Sequence, residues 1–74
     1  MKAGALIKNA RNALGLDRGV MATMLGIHPK TLGEFEFGHQ PPRRTVLMAI
    51  ECLLRRKGWG DMADAFRRQT GGRP

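Results

Sequence analysis

The sequence has no serine and a single cysteine, Cys52. Without serine the commonest hydroxyl nucleophile is missing, and the few acids are dispersed along the chain. No catalytic set assembles, and no enzymatic activity is expected. A lone cysteine cannot close an internal disulfide, and Cys52 falls on the apolar side of an expected helix, which reads it as a buried, inert thiol. The two histidines, His28 and His39, stand apart from each other and from Cys52. That leaves no metal-ligand spacing, and no cofactor is expected. No run is long and apolar enough to span a bilayer, and the N-terminus lacks the continuous apolar stretch of a signal peptide, so a cytoplasmic location is the default expectation. Internal repeats and low-complexity tracts are absent too. Negative charge is scarce: six Asp and Glu stand against 13 Lys and Arg, a formal net charge of +7. That excess favours a polyanionic partner, nucleic acid ahead of an anionic membrane. The plainer reading of the same count is a well-solvated surface.

What is present is helical punctuation. Residues 17–38 read as a helix, a short turn and a second helix closed by glycine. Asp17 is a good N-cap, because its carboxylate can accept an orphan amide of the first turn. Met21, Ala22 and Leu25 then recur at helical spacing. Gly26 can take the left-handed conformation that ends a helix, Ile27 plugs the turn, and Pro29 suits a first helical position. Leu32, Phe35 and Glu36 share one face of the second helix, which Gly38, Pro41 and Pro42 stop. Pro29, Lys30, Gly33, Glu34 and Phe37 face the other way.

Around this stretch the spacing predicts three more helices. Leu6, Ala10 and Leu14 mark residues 3–14, which Gly15 closes. A broad stripe of Val46, Leu47, Ala49, Ile50, Leu53 and Leu54 marks residues 43–57. Arg55, Arg56 and Lys57 suit the C-terminal turn of that helix as solvated charges, or make a basic patch. Gly58-Trp59-Gly60 breaks it, Asp61 can cap a last helix over 62–69, and residues 70–74 are expected to fray. The fold class is therefore all-α, a compact bundle of four to five helices. Its expected core is Leu6, Ala10, Leu14, Met21, Leu25, Ile27, Leu32, Phe35, Leu47, Ile50 and Leu54. A single small domain of 74 residues buries only a modest share of its surface, so oligomerisation is a natural supplement to its stability.

The pattern Gly15-Leu16-Asp17-Arg18, Met21-Ala22, Leu25-Gly26-Ile27-His28, Thr31-Leu32-Gly33, Phe35-Glu36-Phe37-Gly38 and Pro42 runs without insertion. It resembles the helix-turn-helix of the phage-repressor-like family of DNA-binding proteins. Ala22, Gly26, Glu36 and Gly38 are the informative matches. The resemblance implies a bundle that projects residues 29–37 into a DNA major groove, a groove about 12 Å wide that admits one helix. It implies base-reading positions at Pro29, Lys30, Gly33 and Glu34, and a structural ion pair between Arg11 and Glu36. The family usually carries Gln, Ser or Arg at the base-reading positions, so Pro29, Gly33 and Glu34 are departures. Lys30 can donate to guanine, and Glu34 can accept from cytosine or simply solubilise an exposed face. Phosphate contacts are expected from Arg18, His28, Thr31, His39, Arg43 and Arg44, which stand at the helix starts and in the loop after the recognition helix. Phe37 either touches DNA or packs on a neighbouring helix.

The expected function is a sequence-specific transcriptional regulator of phage or bacterial type that binds double-stranded DNA. Its partners are an operator with inverted-repeat symmetry and a second copy of the chain. No small-molecule substrate and no membrane are expected. Residues 1–58 form the DNA-binding unit. Residues 59–74, with Trp59, Met62 and Phe66, either make the dimer interface or close the core; the face around Met48, Cys52 and Arg55 is the second choice for dimer contact. Size and layout are similar to the small repressors associated with anti-CRISPR operons, which implies an autoregulator. The first rival is an antitoxin-like interaction module that binds DNA secondarily. The second is a basic amphipathic membrane binder, against which the glycine-punctuated short helices and the embedded Glu36 argue.

Overall fold

A computed structural model describes residues 3–70 and shows five helices and, among those residues, no strand. They are α1 (Ala3–Ala13), α2 (Arg18–Leu25), α3 (Pro29–Glu36), α4 (Arg44–Arg56) and α5 (Gly60–Gln69). No helix among the described residues is long and apolar enough to cross a membrane.

The α2–turn–α3 unit is fixed by local chemistry at each end. Asp17 caps α2, its Oδ1 accepting from the Val20 amide at 2.8 Å. Gly26 ends it at φ 73°, a conformation that would strain any side chain, and turns the chain within two residues. His28 caps α3 with its ring, Nδ1 accepting from the Lys30 amide at 3.1 Å, and Pro29 takes the first helical position.

All five helices contribute to one core. Leu6, Ile7 and Ala10 come from α1, Met21 and Ala22 from α2, and Leu32 and Phe35 from α3. Val46, Leu47, Ile50 and Leu54 come from α4, and Ala63 and Phe66 from α5. Three residues expected inside, Leu14, Leu25 and Ile27, are only partly buried. Each sits at a helix end or in a turn, where solvent reaches one side of the chain.

The C-terminal segment differs from expectation in three respects. The helix starts at Gly60, with Trp59 in the N-cap position and no side-chain cap; Asp61 lies in the first turn instead. There its charge meets the positive end of the helix. Thr70 is an ordered C-cap, its hydroxyl donating to Arg67 O at 2.8 Å, whereas the fraying expected for 71–74 lies outside the described residues. Phe66 is fully buried, Met62 is half-buried against the core, and only Trp59 is exposed. Phe66 is thus unavailable to a dimer interface, because it fills the interior of its own chain.

Two close approaches lock the helices together. A methyl group at Gly4 would lie 2.5 Å from Phe35 O and 2.8 Å from Glu36 O, so α1 rests directly on the last turn of α3. Arg55 clasps α4 to α5, donating to Glu51 at 3.0 Å and to Asp64 at 2.9 Å. These hydrogen bonds, Asp64 first and Glu51 second, hold the Arg55 guanidinium above its ordinary value. Arg55 is therefore a clasp, not a free C-terminal charge. Cys52, expected inside, is exposed.

Candidate nucleic-acid interface

Helix α3 has two faces of opposite character. Leu32 and Phe35 are buried in the core, and Glu36 beside them has a fully buried side chain. Arg11 holds the Glu36 carboxylate from α1: Nε donates to Oε2 at 2.8 Å and Nη2 to Oε1 at 3.2 Å. Arg11 Nη1 also donates to Leu16 O at 3.3 Å, which ties the α1–α2 turn to the same point. A second guanidinium arrives from α2, with Arg18 Nη2 donating to Glu36 Oε1 at 3.3 Å. One carboxylate therefore joins three helices. Charges buried this way are tolerated because they are paired and hydrogen-bonded.

The opposite face of α3 carries exposed Pro29 and Lys30, half-exposed Glu34, and Phe37 just past its end. Neither Lys30 nor Glu34 forms a side-chain hydrogen bond or ion pair with a described residue. Gly33, expected to read bases, is buried. Arg18 lies over it, so Gly33 itself is not presented to a partner. Phe37 is 61 % exposed, with the Arg18 guanidinium 5.2 Å from its ring centroid and the His39 ring 6.1 Å away.

The cations expected at phosphates fall into two groups. His28, His39, Arg43 and Arg44 are all exposed at the two ends of α3 and in the loop leading to α4, and Thr31 is half-buried. Arg43 and Arg44 have no ion-pair partner among the described residues. Nδ1 of His28 is engaged in the cap, which leaves Nε2 as the ring nitrogen available to a partner. Arg18 is the exception, since it is folded back onto Glu36 and Phe37.

Two positioning residues escape a reading of the sequence. Gly4 sets the approach of α1 to α3, and its only signal is a glycine inside a helical pattern, which hints at close backbone contact. The Arg55 clasp is half visible as the i,i+4 pair with Glu51; Asp64 completes it across the next turn.

A capped helix, a tight glycine turn and a second helix with one buried and one open face match a known architecture. The model of the helix-turn-helix family matches residues 7–57, well over half of the chain. The chain belongs to the phage-repressor-like helix-turn-helix family. Members are DNA-binding transcription regulators and in general not enzymes. In this helix-turn-helix protein the matched region spans α2, α3 and α4 whole and reaches into α1, so both faces of α3 belong to it. No curated protein and no solved structure matches the chain.

Proposed function

We propose that this helix-turn-helix protein is a homodimeric repressor that reads an inverted-repeat operator in double-stranded DNA. The observation that carries the reading is the division of α3. Leu32, Phe35 and Glu36 anchor it, while Lys30 and Glu34 are unengaged, and the unpaired Arg43 and Arg44 follow at the start of α4. In this reading Lys30 donates to O6 or N7 of guanine, and Glu34 accepts from the N4 amino group of cytosine. His28, Thr31, His39, Arg43 and Arg44 contact phosphates on either side and set register.

One such helix reads only a few base pairs, and pairing two of them about 34 Å apart on one face of the duplex supplies the missing specificity. With Phe66 withdrawn into the core, dimer contact falls to α4, where Met48 and Cys52 are both exposed. Cys52 lines a groove together with Met24, Leu25, Ala49 and Leu53.

Selection from random duplex DNA with the full-length protein tests this directly. The expected result is an enriched inverted repeat bound by two chains. Enrichment of a single half-site bound by one chain would refute the dimer, and no enrichment at all would refute sequence-specific reading. The latter outcome would turn attention to a protein partner, as in an antitoxin-like module.

A further inference from the structure

Lys30, Gly33, Glu34 and Phe37 lie along one stripe of α3 and its C-cap, the stripe turned away from the core. Gly33, in the middle, has no side chain, yet it is buried. The cover is Arg18, reaching across from the start of α2. A methyl group at Gly33 would meet Arg18 Cδ at 3.6 Å and Nε and Nη1 at 3.7 Å. The guanidinium continues to Phe37, where Cζ lies 5.2 Å from the ring centroid. Arg18 therefore occupies the surface that a side chain at position 33 would otherwise provide.

This pose is not what neutralises Glu36. Arg11 already does so with two bonds, at 2.8 and 3.2 Å, whereas Arg18 adds one at 3.3 Å. The Arg18 side chain is 38 % exposed and its Nε is buried without a hydrogen-bond partner, an arrangement that stability alone disfavours. What the contacts do achieve is orientation. Glu36 fixes one corner of the guanidinium and the Phe37 ring lies against it, while Nη1 and the second hydrogen of Nη2 stay unengaged among the described residues. Such an end-on pair of donors matches the O6 and N7 acceptors of guanine. A phosphate needs charge and tolerates many approaches. It gains nothing from an exposed phenyl ring next to it, whereas a thymine 5-methyl group does.

We propose that Arg18 and Phe37 together read a guanine with a thymine next to it. Arg18, delivered by α2 to the place Gly33 leaves open, donates to O6 and N7 of the guanine. The exposed part of the Phe37 ring packs on the methyl group of the neighbouring thymine. The inference rests on α3 entering the major groove as an operator reader, and it replaces the phosphate role expected for Arg18.

The test uses the full-length protein and the duplex that random-site selection enriches. Selection without any enrichment overturns both the operator reading and this inference. An enriched site that lacks adjacent thymine and guanine at a fixed position overturns this inference alone. On a site that has them, 7-deazaguanine at the guanine should weaken binding by the parent on the order of 10-fold, with no effect on Arg18→Ala. Deoxyuridine for the thymine should weaken the parent about 4-fold, the worth of one buried methyl, with no effect on Phe37→Ala. Arg18→Lys keeps the charge and loses the fork. If it restores parental affinity, and the parent ignores both base changes, Arg18 is a phosphate contact and the proposal fails. Helical circular dichroism matching the parent verifies that each variant is folded, which the retained Arg11–Glu36 pair favours.

Discussion

Glu36 and Gly33 sit three residues apart on one helix and answer to opposite demands. Glu36 is wedged between Arg11 and Arg18 with its side chain fully buried. Glu36→Ala leaves Arg11 uncompensated in a nearly closed site and should cost on the order of 3–5 kcal/mol, read as a large drop in melting temperature. A melting curve that overlays the parent would show that the triad contributes nothing to stability. At Gly33 a new methyl group makes ordinary contact with Arg18, so nothing has to move. Gly33→Ala should therefore stabilise the domain by about 1 kcal/mol, the helix-propensity difference, in chemical denaturation. Resemblance to the repressor family named the Arg11–Glu36 partners, but nothing in the sequence placed Arg18 over Gly33. That contact depends on how α2 crosses α3, a tertiary relation with no sequence period. Cys52 was misjudged for a different reason. The stripe read on α4 was too broad: Ile50 and Leu54 are buried, and Cys52 lies two residues from each, about 200° around the helix.

Among the elements, α5 was the least legible. Asp17, Gly26, Pro29 and Gly38 punctuate the ends of α2 and α3 plainly, and the bounds of the first four helices came within one residue. Here the end of α4 is set by backbone alone: Gly58 turns at φ 83° and the Trp59 amide donates to Leu54 O at 2.8 Å. That leaves Trp59 to start α5, which a search for a capping side chain passes over in favour of Asp61. The role of the segment was left as interface or core, and Phe66 and Ala63 lie in the core. Phe66→Ala should then cost about 3–5 kcal/mol, whereas Trp59→Ala, at a 43 % exposed site, should cost clearly less in the same denaturation experiment. Equal effects would mean that α5 packs through its tryptophan. At the other end of the chain, Gly4→Ala forces a methyl group against two carbonyl oxygens of α3. Overpacking of about 1–3 kcal/mol should outweigh the helix-propensity gain of roughly 1 kcal/mol, so a net loss of stability is expected. A net gain would show that α1 can slide away from α3 freely.

For the molecule as a whole, net charge announces a polyanionic partner, and the fold decides where that charge acts. Arg55 is engaged inside the α4–α5 clasp, while Arg43 and Arg44 are exposed at the start of α4 with no ion-pair partner among the described residues. As phosphate contacts, each Arg→Ala change should weaken specific and non-specific duplex alike and lower the salt slope of binding by about one unit. An unchanged slope in the double variant would remove that loop from the interface. Assembly is a separate measurement. If the chain pairs through α4 as proposed, Met48→Glu should convert dimers to monomers in sedimentation at micromolar concentration, with the helical content intact. A dimer that survives the change would place the contact elsewhere, with Trp59 the next exposed candidate.

The two faces of α3 also differ in how freely they can change. Lys30 and Glu34 engage no other side chain, so a lineage can alter either of them one step at a time while every ancestor along the way still folds. Positions 11 and 36 have no such freedom, because a change at one strands the charge of the other. If α3 reads DNA as proposed, sequence preference can therefore be altered gradually, whereas the joint beneath that helix changes only by concerted replacement.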